Sequence, residues 1–217
     1  GVEWIGAIPA GWEVVKLKYL ALSLQTGPFG SQLHSGEYIS GGTPVLNPSH
    51  IKDNQIDADP DVSVDEEVGD RLSRHKLEPG DIIFARRGEL GRCARITSRE
   101  QGWLCGTGSI RLRPNRELVH PAYINLACST GGVAEWFVLK SVGSTMDNLN
   151  TDILGELQVA VPPLDVQREV AELLERRSKQ IETLIVKIRD GIARLKEYRT
   201  ALISAAVTGR IDVREEI

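Results

Sequence analysis

The sequence predicts an α+β chain. A globular domain over residues 1–163, with a twisted β-sheet and short helices, is followed by one long C-terminal α-helix over residues 164–217. Three observations predict it. Short apolar runs punctuated by Gly and Pro fill the chain up to Pro162-Pro163. The period of the apolar residues changes abruptly at that pair. Leu174, Ile181, Ile188, Leu195 and Leu202 then recur every seven residues without a miss.

Within the domain, residues 15–24 form a first helix candidate. Strand candidates are Ile82-Ile83-Phe84-Ala85, Cys93-Ala94-Arg95-Ile96, Ser109-Ile110-Arg111-Leu112-Arg113 and Gln158-Val159-Ala160-Val161. Turn signals separate them, among them Thr26-Gly27-Pro28-Phe29-Gly30 and Glu78-Pro79-Gly80-Asp81. The adjacent Pro79 and Gly80 suit the two central positions of a type II turn. Residues 121–127 open on Pro121, as a helix start does. Leu157, Val159 and Val161 alternate toward the Pro-Pro break.

After the break, Asp165 is the expected N-cap and Gly209 the expected stop, giving a helix over residues 165–208 of roughly 65 Å at 1.5 Å per residue. Leu184, Ile185, Ile192, Tyr198 and Ala205 lie beside the heptad positions, so Leu174, Ile181, Leu184, Ile185, Ile188, Ile192, Leu195, Tyr198 and Leu202 make one apolar seam. A domain of this size cannot cover a seam that long. The sequence therefore predicts a partner helix, although a regular intramolecular packing helix would show the same spacing. Gly191 on the seam either permits close approach of that partner or is simply tolerated.

Composition is that of an ordinary globular chain, with 41% hydrophobic and 26% charged residues. No apolar run approaches a membrane span and no stretch reads as a signal peptide, so a cytoplasmic location without membrane contact is expected. Cys93, Cys105 and Cys128 form no CxxC pair and are expected to be partly buried thiols. The net charge of −4 argues against a nucleic-acid binder, but its distribution does not. Residues 53–70 hold eight acids and no Lys or Arg, whereas residues 71–116 hold eleven basic and four acidic residues, a local +7. A duplex responds to the local field; two solvated faces of opposite sign would give the same count.

Catalytic signatures are missing. Asp57-Ala58-Asp59-Pro60-Asp61 opens like a calcium loop but has Val62 where Gly is needed and Val68 where the bidentate Glu is needed. Asn47-Pro48-Ser49-His50 lacks the second Pro and the aromatic of amino-methyltransferase motifs. His34, His50, His75 and His120 have no ligand spacing, which leaves them as surface or turn histidines or as single polar contacts in a binding face.

Several segments, in order, resemble the specificity subunit of type I restriction–modification systems. Trp4-Ile5-Gly6-Ala7-Ile8-Pro9 with Gly11-Trp12-Glu13 and Leu17-Lys18-Tyr19-Leu20 is similar to the opening of a target-recognition domain. Thr26-Gly27-Pro28-Phe29-Gly30-Ser31 and Arg87-Gly88-Glu89-Leu90-Gly91 are similar to loops within it. Gly143-Ser144-Thr145, Val161-Pro162-Pro163-Leu164 and Gln167 resemble the junction into the helical region, and residues 201–209 its ending. The family usually carries two recognition domains and two helices; this chain has one of each, which implies a half-subunit form or a truncated product. The resemblance further implies double-stranded DNA as ligand and antiparallel pairing of two copies through the helix. That pair would read a bipartite target with inverted half-sites. By the same resemblance, the chain has no catalysis or cofactor of its own. S-adenosylmethionine belongs to a partner methyltransferase (modification) subunit and ATP to a partner restriction (translocase/endonuclease) subunit.

Candidate DNA contacts follow from residue chemistry. Arg86, Arg87, Arg92 and Arg95 surround a Gly-rich turn and suit guanine or phosphate contact. Arg71, Arg74, His75 and Lys76 suit phosphate anchoring, or else balance the neighbouring acids. Ser31, Gln32 and His34 project from the Gly-Pro-Phe-Gly turn, with Gln32 able to read adenine, or else cap that turn. Ser144, Thr145 and Asn148 touch backbone or bases, or else stabilise their own loop. Phe29, Trp103 and Trp136 are expected in the core rather than stacked on bases. A second reading from a different class is a chain that only assembles, a decoy or structural half-subunit that dimerises and holds a methyltransferase without reading sequence.

Overall fold

The computed structural model describes residues 5–141 and 148–211. Contacts divide the chain into two compact units, Gly1–Ala171 and Glu172–Ile217, so the first two turns of the long helix belong with the globular part. In chain order the elements are β1 (Glu13–Lys16), α1 (Leu17–Leu20), β2 (Ala21–Thr26), β3 (Thr43–Leu46), β4 (Ile51–Lys52), β5 (Gln55–Ile56), β6 (Ser63–Val64), α2 (Glu66–Arg71), β7 (Ile82–Ala85), β8 (Cys93–Arg95), β9 (Leu104–Cys105), β10 (Ser109–Pro114), α3 (Pro121–Cys128), α4 (Gly131–Ser141), α5 (Thr151–Glu156), β11 (Gln158–Val161) and α6 (Leu164–Val207).

The main sheet has the antiparallel order β2-β10-β7-β8. Its inner strand β7 reads as a continuous apolar run, Ile82-Ile83-Phe84-Ala85, because both faces are covered there. Successive side chains alternate between faces. Ile82, Phe84, Cys93, Ile110 and Leu112 face a core built with Tyr123, Ile124 and Cys128 of α3, Val133 and Phe137 of α4, and Leu154 of α5. Ile83, Ala85 and Ala94 face the other side, against Leu46, Ile51, Leu77, Ile96 and Cys105. A smaller sheet, β6-β3-β9, is mixed, with β3 and β9 parallel. Asp53 and Asn54 take positive φ (48° and 61°) in the two-residue β4–β5 hairpin, as a type I′ turn requires. The predicted type II turn is present: Asp81 N–H donates to Glu78 O (2.9 Å) and Gly80 sits at φ 94°, where a side chain is disfavoured.

Several expectations are corrected. Residues 15–24 are not one helix. Leu17 and Leu20 are buried by the single turn α1, and Ala21–Thr26 then pairs with β10, so tertiary pairing overrides the helical spacing. The three cysteines are fully rather than partly buried, and burial alone pushes the Cys93 thiol up to about 12. His50 and His75 are buried, not surface, residues. Asp165 is not the N-cap of α6; the helix begins at Leu164, Asp165 lies in its first turn, and the Pro163 carbonyl accepts from Gln167 N–H at 2.9 Å. The far end agrees with expectation, with Arg210 N–H donating to Ala205 O (2.8 Å) beyond Val207.

The Pro-Pro joint has a specific lock. β11 pairs with β1, and Tyr123 Oη donates to Ala160 O at 2.7 Å. Neither Pro162 nor Pro163 has an N–H, so the ladder stops there. Gln167, fully buried, then uses both ends of its amide. Its Oε1 accepts from His120 N–H (2.7 Å), and its Nε2 donates to Pro162 O (2.8 Å) and Leu118 O (3.2 Å).

Two outcomes follow from this packing. Gln167→Ala strands one buried donor and two acceptors, and is expected to lower unfolding stability by about 3 kcal/mol in urea titration. The second concerns pH. Burial, assisted by Arg74 and Arg111, pulls the His75 imidazole from 6.5 down to about 4. Between those values the unfolded chain takes up a proton that the folded chain refuses, so stability falls as pH is lowered from about 6.5 toward 4, and His75 adds no pH dependence above 6.5. The urea midpoint should decline across that window, and His75→Gln should flatten the decline.

Candidate nucleic-acid interface

The loops that carry the candidate residues meet at one end of the main sheet. β2 ends with Thr26 opposite Ile110, and Gly27 N–H continues the ladder to Ser109 O at 2.9 Å. β7 ends with Ala85 opposite Ser109, and Arg86 N–H continues to Gly108 O at 2.9 Å. Residues 27–34 and 86–92 therefore leave the sheet at the same end, on either side of β10, with roots about 10 Å apart at ~4.8 Å per strand. The end of β3 joins them: Leu46 O accepts from Gly106 N–H and from Ser109 Oγ, each at 2.9 Å. Arg86 binds the residues before α5, because its O accepts from Leu149 N–H and its Nε donates to Leu149 O, both at 2.9 Å.

Glycine makes this convergence possible. A Cβ on Gly27 would lie 1.8 Å from Gly106 O, and one on Gly106 would lie 2.2 Å from Asn47 Oδ1. The loops are thus interlocked through backbone, and the face has little freedom to collapse.

Arg87 is exposed and has no ion-pair or hydrogen-bond partner among the described residues. Arg86 is half-buried on Leu149, and burial followed by the charge of Arg87 pulls its guanidinium below the ordinary arginine range. Arg92 donates to Glu89 O (3.3 Å) and Ile51 O (3.1 Å). Arg95 is not part of this group: it opposes Ile82, at the end of the β7–β8 hairpin away from the turn. Ser31 and His34 are exposed on the 27–34 loop. Gln32 Oε1 instead turns back to accept from Phe29 N–H at 3.2 Å, which is the capping role. Asn148 is half-buried, with its Oδ1 unpaired among the described residues. Ser144 and Thr145 lie outside the described residues.

The second basic group follows its structural alternative. Arg71 pairs with Glu37, and Lys76 with Asp70 at 2.9 Å. The Glu37 carboxylate is held below its usual range first by His34 N–H and then by Arg71. Arg74 is exposed but donates to His75 Nε2 at 3.0 Å, and His75, 2% exposed, is withdrawn from any DNA contact by burial. Arg111 and Arg113 are likewise internal. Arg111 donates to Lys76 O (3.0 Å), Arg74 O (3.1 Å) and Gln25 Oε1 (2.6 Å), and Arg113 makes a bidentate pair with buried Asp81 (2.9 and 2.8 Å).

Phe29 overturns its core assignment. Trp103 and Trp136 pack against core clusters, but Phe29 is 56% exposed at the tip of its turn. Glycines on both sides and the preceding proline were the available sign that this ring stands on a sharp turn rather than along a buried strand.

Comparison with known proteins agrees with this architecture. The chain is similar to the putative type I restriction enzyme MjaX specificity subunit of Methanocaldococcus jannaschii, 25% identical over 186 residues that cover 83% of this chain and 42% of that protein. It is also similar to the type I restriction enzyme EcoBI specificity subunit of Escherichia coli, 19% identical over 204 residues, 94% of this chain and 43% of that protein. The chain thus spans less than half the length of these curated relatives. The fold is shared with a chain solved in work on complex assembly and conformational transition of the type I R-M system (TM-score 0.69, 19% identity, 93% of this chain and 47% of that one). It is shared too with the HsdS subunit from Thermoanaerobacter tengcongensis (TM-score 0.61, 19% identity, 93% and 50%). The profile of the type I restriction modification DNA specificity domain matches residues 9–193, most of the sequence, and the chain belongs to that family.

Proposed function

We propose that this chain is a non-catalytic, sequence-specific reader of double-stranded DNA in a type I restriction–modification complex. The interlocked loop face at the start of β10, with Arg87 exposed on it and unpaired among the described residues, carries that reading. An arginine there supplies phosphate or guanine contact, and polar Ser31 and His34 stand on the same face. Methylation and cleavage belong to partner methyltransferase and restriction subunits, which hold S-adenosylmethionine and ATP.

The seam on α6 supports pairing with a second copy. Leu174, Ile181, Leu184, Ile185, Ile188, Ile192, Leu195, Tyr198 and Leu202 are between 42% and 68% exposed in the single chain. So long a row of exposed apolar side chains calls for a partner helix. Antiparallel pairing about a twofold axis places two readers on inverted half-sites.

A specific observation favours the assembly-only reading as the competitor: most of the cations in residues 71–116 bind carbonyls or carboxylates of their own domain. Arg87→Ala separates the two. The reading function predicts about tenfold weaker binding to a cognate duplex at moderate salt, with a shallower salt dependence and unchanged dimerisation. Unchanged affinity would favour assembly alone. Replacing Arg86 or Arg92 is a poorer test, since each also holds a neighbouring loop. Independently, Ile181→Asp with Ile188→Asp should halve the mass seen by sedimentation while leaving the urea midpoint of the globular unit unchanged.

A further inference from the structure

We propose that Phe29 is an apolar wedge, its ring packing against a nucleobase at an opened step of the bound duplex. This deepens the DNA-reading function proposed above and rests on it.

The chain has three phenylalanines; Phe84 and Phe137 are fully buried, while Phe29 is 56% exposed and joins none of the three core clusters. Its exposure is not that of a loose loop. Phe29 O accepts from Gln32 N–H (2.8 Å) and Leu33 N–H (3.2 Å), and Phe29 N–H donates to Gln32 Oε1 (3.2 Å). Leu33, 4% exposed, anchors the far side of the turn in the third cluster, and Gly27 anchors the near side against Gly106 and Ser109. Both polar backbone groups of Phe29 are thus satisfied, which holds the backbone that carries the ring in place at the turn. The fold presents this ring to solvent at a set position.

The surroundings select the occupant. Gly30, Ser31 and His34 beside it are small or polar and exposed, so these neighbours add no apolar side chain to the ring for a protein partner to cover. A lone ring bordered by polar groups suits a small flat apolar surface inside a polar rim, which is what a base offers between its phosphates. Arg87, across β10 on the same face and without a carboxylate partner among the described residues, has the charge for the adjacent phosphate. An inserted ring contributes affinity without choosing among bases, because every base has a π face.

The test uses the full chain with its methyltransferase subunit and duplexes carrying 2-aminopurine at successive positions of a selected site. Wild type should brighten the probe at one step. Phe29→Ala should abolish that Phe29-dependent rise and weaken binding about tenfold while base preferences persist, and Phe29→Trp should restore both. Equal brightening and affinity for wild type and Phe29→Ala would overturn the proposal and leave the reading function standing. So would a Phe29→Ala chain that binds duplex normally but no longer retains the methyltransferase, which would make Phe29 a protein contact. A wild-type chain that selects no duplex would overturn the reading function itself.

Discussion

The placement of β10 between β2 and β7 is the constraint on which the rest of the domain depends. Its backbone hydrogen bonds run past the strand ends, from Gly27 to Ser109 and from Arg86 to Gly108, so two distant stretches of chain are fixed on either side of it. Buried backbone groups must be paired, and a slip of one residue would turn Arg111 toward the helices and Ile110 away from them. The apolar alternation on both faces and the Arg111 bonds to Arg74 O and Lys76 O hold one register. The loop face inherits its geometry from that register.

Charge in this domain serves structure before it serves binding. A count of cations in residues 71–116 suggests a basic surface, yet Arg113 is paired with buried Asp81, and Arg111, Arg86 and Arg92 satisfy carbonyls. Some of the acids of residues 53–70 are similarly engaged. Asp65 caps α2, Asp57 pairs with Lys52, and Asp70 pairs with Lys76. Much of the positive charge of residues 71–116 is thus taken up within the domain, and the field available to a ligand comes from a few exposed groups. This makes a binder of net charge −4 intelligible: it needs well-placed cations, not many of them.

What could be read without coordinates had a local cause. Residues 82–85, 93–96, 109–113 and 158–161 are bounded by turn residues and rich in apolar side chains, and all lie in strands except Ile96, one residue past the end of β8. The seven-residue spacing of α6 is a property of one helix and was visible for that reason. What could not be read depended on partners far along the chain. Residues 15–24 carry helical spacing, but β10 recruits Ala21–Thr26. The sheet order β2-β10-β7-β8 brings residues 27–34 beside 86–92, and no spacing rule shows that. Arg95 looked like a neighbour of Arg92 because it is near in sequence, whereas the strand carries it to the other end of the hairpin. Phe29 looked like core because phenylalanine usually is.

The joint at Pro162-Pro163 is locked by Gln167, which makes the start of α6 part of the globular unit. The central claim is that one end of that domain reads DNA and that α6 pairs two such readers. Selection of bound duplexes from a random pool at fixed moderate salt, with and without a cognate methyltransferase subunit, tests it most directly. Recovery of a bipartite motif with inverted half-sites is the predicted result. Recovery of no preferred sequence in either condition would contradict it.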